Sequence, residues 1–259
     1  MKFILPLLAA MCFLLPSCKE TSSESAGDAS PDAPPVANRD AQDPPSEDPA
    51  PDVPTSDAGE LELVPIETKL PQAMFVGTPT NIDVPNLQEP LGHARPPFFA
   101  PRGTINAALG LPVSGSDEEP VVGELDLITD DDKDAEDGSF VEFGHGKQYI
   151  TIDLGAAHDI YAVLVWHYHK QARVYYDVVV QVAGDADFIT DVSTIFNNDH
   201  DNSSGLGTGS DMHYVETSEG QLIDAKGVQG RYVRLYSNGN TSNDYNHYIE
   251  VEVFGKPVT

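Results

Sequence analysis

Residues 148–182, QYITIDLGAAHDIYAVLVWHYHKQARVYYDVVVQV, constrain the fold more than any other stretch of the chain. Ile150, Ile152 and Leu154 alternate with Tyr149, Thr151 and Asp153, the period of two that puts one face of a strand in a core and the other in water. Residues 155–159 read as a turn cluster. Residues 160–168 are apolar at nearly every position, as in a strand covered on both faces. Residues 170–173 make a second, polar turn. Val174, Tyr176, Val178, Val180 and Val182 then mark a third strand, with Tyr175, Asp177 and Gln181 opposite. Val, Ile, Tyr and Trp dominate and no Pro interrupts. Turns of about five residues are too short for a parallel crossover. The stretch therefore reads as three consecutive antiparallel strands in the middle of an all-β sandwich.

Charge narrows the partners. The chain carries 42 acidic and 14 basic residues, a formal net charge of −28. That argues against nucleic acid, whose phosphates need Lys and Arg, and against docking on anionic lipid by charge. It suits cations or neutral ligands, or simply a soluble, self-repelling surface. The two cysteines, Cys12 and Cys18, lie at the N-terminus, so the folded part relies on a packed core without disulfides.

Residues 1–17 are a targeting segment. Lys2 precedes an apolar run, residues 3–15, too short to span a bilayer. Its ending, Leu14-Leu15-Pro16-Ser17-Cys18, resembles the bacterial lipoprotein signal. The resemblance makes Cys18 the first mature residue and the site of lipidation, which anchors the chain to a membrane. Lys19 after it resembles the pattern exported to the outer membrane of the cell envelope. The alternative is an ordinary signal peptide cut near Ser17. Residues 18–60 are rich in Pro, Ser, Asp, Glu and Ala and cannot bury enough apolar surface to order, so they read as a disordered acidic tether. Residues 61–103 carry Val64, Ile66, Leu70, Phe75, Phe98 and Phe99, yet Pro recurs every few residues. Such an arm lies extended, packed on its own domain or docked on another protein. Residues 104–259 have the length of one β-sandwich domain.

Within that domain the pieces NAALGLPV, LITDDDK, YITIDLGAAHDIYAVLVW, YDVVVQV, GRYVRLYSNG and IEVEVFG, in this order, resemble the discoidin domain, also called the coagulation factor V/VIII type C domain. The resemblance implies a galactose-binding-domain-like jelly roll. It leaves the ligand open, because members bind sugars, lipid head groups or proteins; bacterial members attached to glycan-processing enzymes are mostly carbohydrate-binding modules. The family's acidic loop usually has Gly where this chain has Asp131. In sugar-binding members an acidic loop and a Glu at the start of the last strand hold calcium. The matching positions are Asp130, Asp132 and Glu250, with Ser139 a weaker addition; the alternative is a solvated acidic turn beside a capping Glu.

Other candidates come from residue types. His167 and His169, two apart, would share a face of a strand and could hold zinc with a third ligand from His200, His213 or His247, or be ordinary polar residues at a strand end. Residues 199–203 offer a second oxygen site without the later bidentate Glu of a calcium loop. Sugars need aromatic faces with nearby amides, carboxylates and guanidinium groups. Arg173, His167, His169, Asn197, Asn198, Asp199, Asn202, Asn240, Asn243 and Asn246 supply such groups, although Asn and Asp also occur in turns for backbone reasons. Trp166 reads as core. No Gly-x-Ser-x-Gly, His-Glu-x-x-His or phosphate loop occurs. The expectation is a binding module without chemistry, for carbohydrate, or alternatively a protein-interaction module of the cell envelope.

Overall fold

The computed structural model describes residues 61–75 and 82–258; Cys18 and the acidic tether lie outside them. The strands are β1 (Leu63–Pro65), β2 (Phe99–Pro101), β3 (Ile105–Asn106), β4 (Val113–Gly115), β5 (Val141–Phe143), β6 (Gln148–Trp166), β7 (Val179–Ala183), β8 (Ser193–Asn197), β9 (Gln221–Ser237), β10 (Asn246–Tyr248) and β11 (Glu250–Pro257). Among the described residues the only helical turn is a 3-10 segment, Leu125–Thr129. The main sheet has the order β3-β11-β6-β9-β7-β8, with β4 also on β6, and every pair is antiparallel.

The central stretch differs from the three-strand reading. Residues 148–166 form one long strand, and both its halves pair with β9. The expected turn is a bulge: the ladder passes from Asp153↔Tyr232 to His158↔Gly230, so residues 154–157 stand opposite Arg231 alone. Gly155 takes φ +76 and donates its N–H to Asp153 Oδ1 at 2.8 Å. Arg231 clamps the same carboxylate from β9, Nε to Oδ1 at 2.6 Å and Nη2 to Oδ2 at 2.8 Å. Such a bulge sharpens twist and bends both strands. The third expected strand is shorter, 179–183, and pairs with β9 rather than β6. β6 and β7 thus run parallel to each other on either side of β9.

The bend makes the sandwich. Ile150, Ile152, Val233 and Leu235 before it, and Val163, Val165, Ile223 and Ala225 beyond it, all enter one buried cluster. The two halves of β6 and β9 therefore face each other across that core as antiparallel layers. Val141, Phe143 and Tyr248 from the β5–β10 pair join the same cluster. The other side of β6 and β11 carries a second cluster of Ala135, Ala162, Leu164, Trp166, Ile249 and Phe254, against which Ile66 and Phe98 of the arm pack.

Candidate functional site

The end of the sandwich away from the bend gathers the long loops. There β6 ends at Trp166 opposite Glu250, and β10 ties that edge to the start of β6, because Asn246 Nδ2 donates to the carbonyls of Gly144 and Gly146 at 2.9 Å. Residues 167–178, 198–220 and 238–245 all leave or enter strands at this end. Tyr175 bridges Asn240, Asn238 N donates to Tyr176 O at 2.9 Å, Glu216 N to Arg173 O at 2.8 Å, and Lys147 Nζ to Ser204 O at 2.6 Å. The turn carrying Arg173 and the Asn-rich loops thus meet.

Most of the polar residues named from sequence face inward and hold these loops. Asn197 accepts from Asp199 N and donates to Gly207 O; Asn198 accepts from Val178 N. Asn202 accepts from Gly207 N. Asn240 donates to Asn243 Oδ1 and Tyr245 O, and Asn246 also accepts from Gly239 N. Asp199 is fully buried; burial would raise its carboxyl, but hydrogen bonds from Ser204 and Ser203 hold it below the usual range.

His167 and His169 lie just past the end of β6, so the shared strand face does not exist. His167 stacks on Tyr175, centroids 4.4 Å apart, and donates from Nδ1 to Glu216 at 2.6 Å. His169 turns away and donates from Nε2 to Lys133 O at 2.9 Å. Arg173 is buried with its guanidinium 4.5 Å from the Tyr168 ring centroid. Tyr175 donates its hydroxyl to His247 Nδ1 at 2.9 Å, and His247 Nε2 donates to Glu142 at 2.9 Å. Burial, then Arg173 and His167, push the His247 imidazole down to about 3.

The surface of this end opens into a cleft of about 420 Å³ lined by Tyr176, Asp177, His200, Asp201, Ser203, His213 and Asn238, with Val84, Pro85 and Asn86 of the arm as its rim. His213 is fixed by the arm: its N–H donates to Asn86 O and its carbonyl accepts from Gln88 N. Its ring meets His200 at 5.2 Å and Tyr176 at 5.9 Å, both edge to face. Burial, then His200, lower the His213 pKa, so the imidazole is neutral. Asp177, at φ 51, accepts from Ser203 Oγ and Asn238 Nδ2 through Oδ2, both 2.8 Å, which leaves Oδ1 free of side-chain partners. The carboxylates of Asp177, Asp199 and Asp201 lie within 4.8 Å of one another. Sequence reasoning missed Tyr176 and Asp177. Their partners lie tens of residues away, and no local pattern announces the convergence.

The acidic loop sits elsewhere, at the start of β11. Asp130 and Asp132 are exposed, and each accepts from the backbone N–H two residues on, at 2.9 Å. Ser139 donates only its N–H, to Glu136 O. The carboxylates drawn together are Asp131, Glu250 and Glu252, within 4.8 Å. Asp131 reaches them from a left-handed backbone, φ 71. Glu250 is fully buried and neither oxygen has a hydrogen-bond partner; burial pushes its carboxyl up to about 9, against the pull of Lys133. Calcium wants about six to eight oxygens. Here the Lys133 ammonium already binds Asp131 and lies 3.0 Å from Glu252, so the cluster does not fit that ion as it stands.

No protein-family model matches the chain, and no curated protein is similar enough to match. Solved structures are similar. The CBM32 of AlyQ, solved with 4,5-unsaturated mannuronic acid, is 20% identical over 56% of this chain and 96% of that one, with a TM-score of 0.42. A chitosan-binding module from the chitosanase/glucanase of Paenibacillus sp. IK-5 is 18% identical over 58% and 98%, TM-score 0.41. A fucolectin from striped bass (Morone saxatilis) serum is 15% identical over 60% and 50%, TM-score 0.41. A family 89 glycoside hydrolase from Clostridium perfringens, TM-score 0.43 and 19% identical, is spanned over 15% of its length and 59% of this chain.

Proposed function

We propose that this chain is a non-catalytic, extracytoplasmic carbohydrate-binding module, held in the bacterial cell envelope, at the outer membrane, by lipid on Cys18. The observation that carries the binding reading is the cleft between the three loops. Its volume, about 420 Å³, falls in the range of roughly 300–1,000 Å³ common for small-ligand sites. Tyr176 offers a ring face to sugar CH groups, while His200, His213, Asp177, Asp201 and Asn238 offer directed donors and acceptors to hydroxyls. No lysine or arginine lines it, which disfavours uronic-acid-rich or sulfated chains. One such site binds with Kd of about 1 mM to 1 μM, and several tethered copies on one polymer would gain avidity.

A glycan array probed with the purified protein tests this. Neutral glycans should bind, and Tyr176→Ala should reduce binding while leaving the circular dichroism spectrum unchanged. An array without signal for wild type, or signal indifferent to Tyr176→Ala and His200→Ala alike, refutes the site. Labelled fatty acid should enter the protein in a bacterium and be lost on Cys18→Ser. A second reading, a protein-interaction module, is favoured by Leu61, Leu63 and Phe99, all more than half exposed, beside an arm groove of about 520 Å³. Pull-down of one envelope protein lost on Leu63→Asp, with a blank glycan array, would support it instead.

A further inference from the structure

Three carboxyl groups lie within 4.8 Å of one another, one of them fully buried, and their charges repel unless a proton or a cation lies among them. The cation present is a side chain. Lys133 is 3% exposed. Its Nζ donates to Asp131 Oδ1, lies 3.3 Å from Asp131 O and 3.0 Å from Glu252 Oε1. An ammonium has three protons and no acceptor, and these three oxygens match them one for one. The ammonium also stands 5.5 Å from the centroid of the Trp166 ring, whose face attracts cations.

The lysine is held from several sides. Its carbonyl accepts from His169 Nε2, buried at the end of β6. The second oxygen of Glu252 accepts from Thr68 Oγ1 of the arm at 2.7 Å, so the arm closes over the ion pair. Asp131 enters through a left-handed backbone, a conformation disfavoured for residues with a side chain and eased for Asp when its carboxylate bonds locally. Lys133 is the partner that its carboxylate bonds. A divalent ion coordinated by the same oxygens would face this ammonium at contact range.

We infer that Lys133 is the resident cation of the acidic loop: its ammonium joins that loop to β11 where a bound divalent ion would otherwise be needed, so the domain folds and stays folded without metal. The lysine links parts of the chain more than 100 residues apart, as a metal would. Glu250, beside this pair and without a donor of its own, marks where an ion would add a ligand if the ammonium were removed.

The test uses the full-length protein. Elemental analysis of wild type should find calcium, zinc and manganese well below one equivalent, and melting curves in EDTA and in excess calcium should superimpose. Lys133→Ala should melt lower in EDTA and recover part of the loss in calcium, because an ion bound only to the folded state stabilises it. Lys133→Arg should keep the indifference of wild type to chelator. One equivalent of tightly held metal in wild type, or a wild-type melting temperature that drops in EDTA, overturns the inference. Should Lys133→Ala fail to fold in either buffer, the two wild-type measurements still decide. A blank glycan array leaves the inference untouched.

Discussion

Single side chains at the loop end titrate and bond in ways that can be measured. His247 is 3% exposed and faces Arg173, His167, Tyr175, Glu142 and the rings of Phe140 and Tyr168. Its imidazole is pushed down to about 3, against about 6.5 in an unfolded chain. The Glu142 carboxylate favours the charged ring, but burial and Arg173 outweigh it, and burial raises Glu142 as well. Above pH 6.5 both states are neutral and the residue adds no pH dependence. Between 6.5 and 3 the unfolded chain takes up a proton that the folded one does not, so stability falls as pH falls. Urea unfolding across that window should show the fall, and His247→Gln should flatten it; an unaltered slope in the variant would refute the assignment. Asn246 makes a different case. It is fully buried and bonds Gly144 O, Gly146 O and Gly239 N. Asn246→Ala strands these groups at about 1–3 kcal/mol each where no water replaces the amide. Denaturant titration should register a loss of a few kcal/mol with the same far-ultraviolet spectrum, and a loss under half a kcal/mol would mean that water enters freely.

Elements show which features local sequence carries and which it does not. Gly230 lies opposite His158, where the ladder resumes; a Cβ there would sit 2.3 Å from Val182 Cγ1 and 3.0 Å from Ala183 O. Gly230→Ala forces β7 off β9 and should cost about 1–3 kcal/mol or more, read as a lower denaturant midpoint, whereas a midpoint unchanged from wild type would show that β7 gives way without cost. The alternation of Ile150, Ile152 and Leu154 is legible, as is the valine run from 178 to 182, because the period of two is written locally. The bulge is not: Gly155-Ala156-Ala157-His158 has the composition of a turn, and only the continuous partner β9, some 70 residues later, shows that the strand goes on. The site divides in the same way. That the Arg173 turn and the Asn loops share an end follows from the jelly-roll resemblance. That their amides point at backbone groups of neighbouring loops does not, because an Asn in a staple and an Asn in a binding site look alike in sequence. Lys133 was legible only as one more charge in an acidic run, since its partner Glu252 is over 100 residues away.

For the whole molecule the question is where the folded unit begins. Trp166, the only tryptophan, is fully buried on the outer side of β6 with Leu164, Ile249 and Phe254. Sheets of this kind leave such a face to water only when it is polar. Here Ile66 and Phe98 cover it, and β1 pairs with β2 so that the arm doubles back as a unit. Arg95 then fastens the arm beside the tryptophan, Nη1 donating to Glu219 O at 3.0 Å and Gly220 O at 2.9 Å, while Trp166 Nε1 donates to Ser218 O at 3.0 Å in the same loop. The arm thus supplies one wall of the second core, and it also rims the cleft through residues 84–86. Limited proteolysis should stop at a fragment that begins near residue 61, not near 104. Phe98→Ala, at a half-buried position, should lower stability by about 1–2 kcal/mol and shift Trp166 emission to the red as water reaches the ring. A stable fragment starting near 104 with unshifted emission would mean that the second core closes without the arm, and then the exposed Leu61 and Leu63 would have to be explained by another partner.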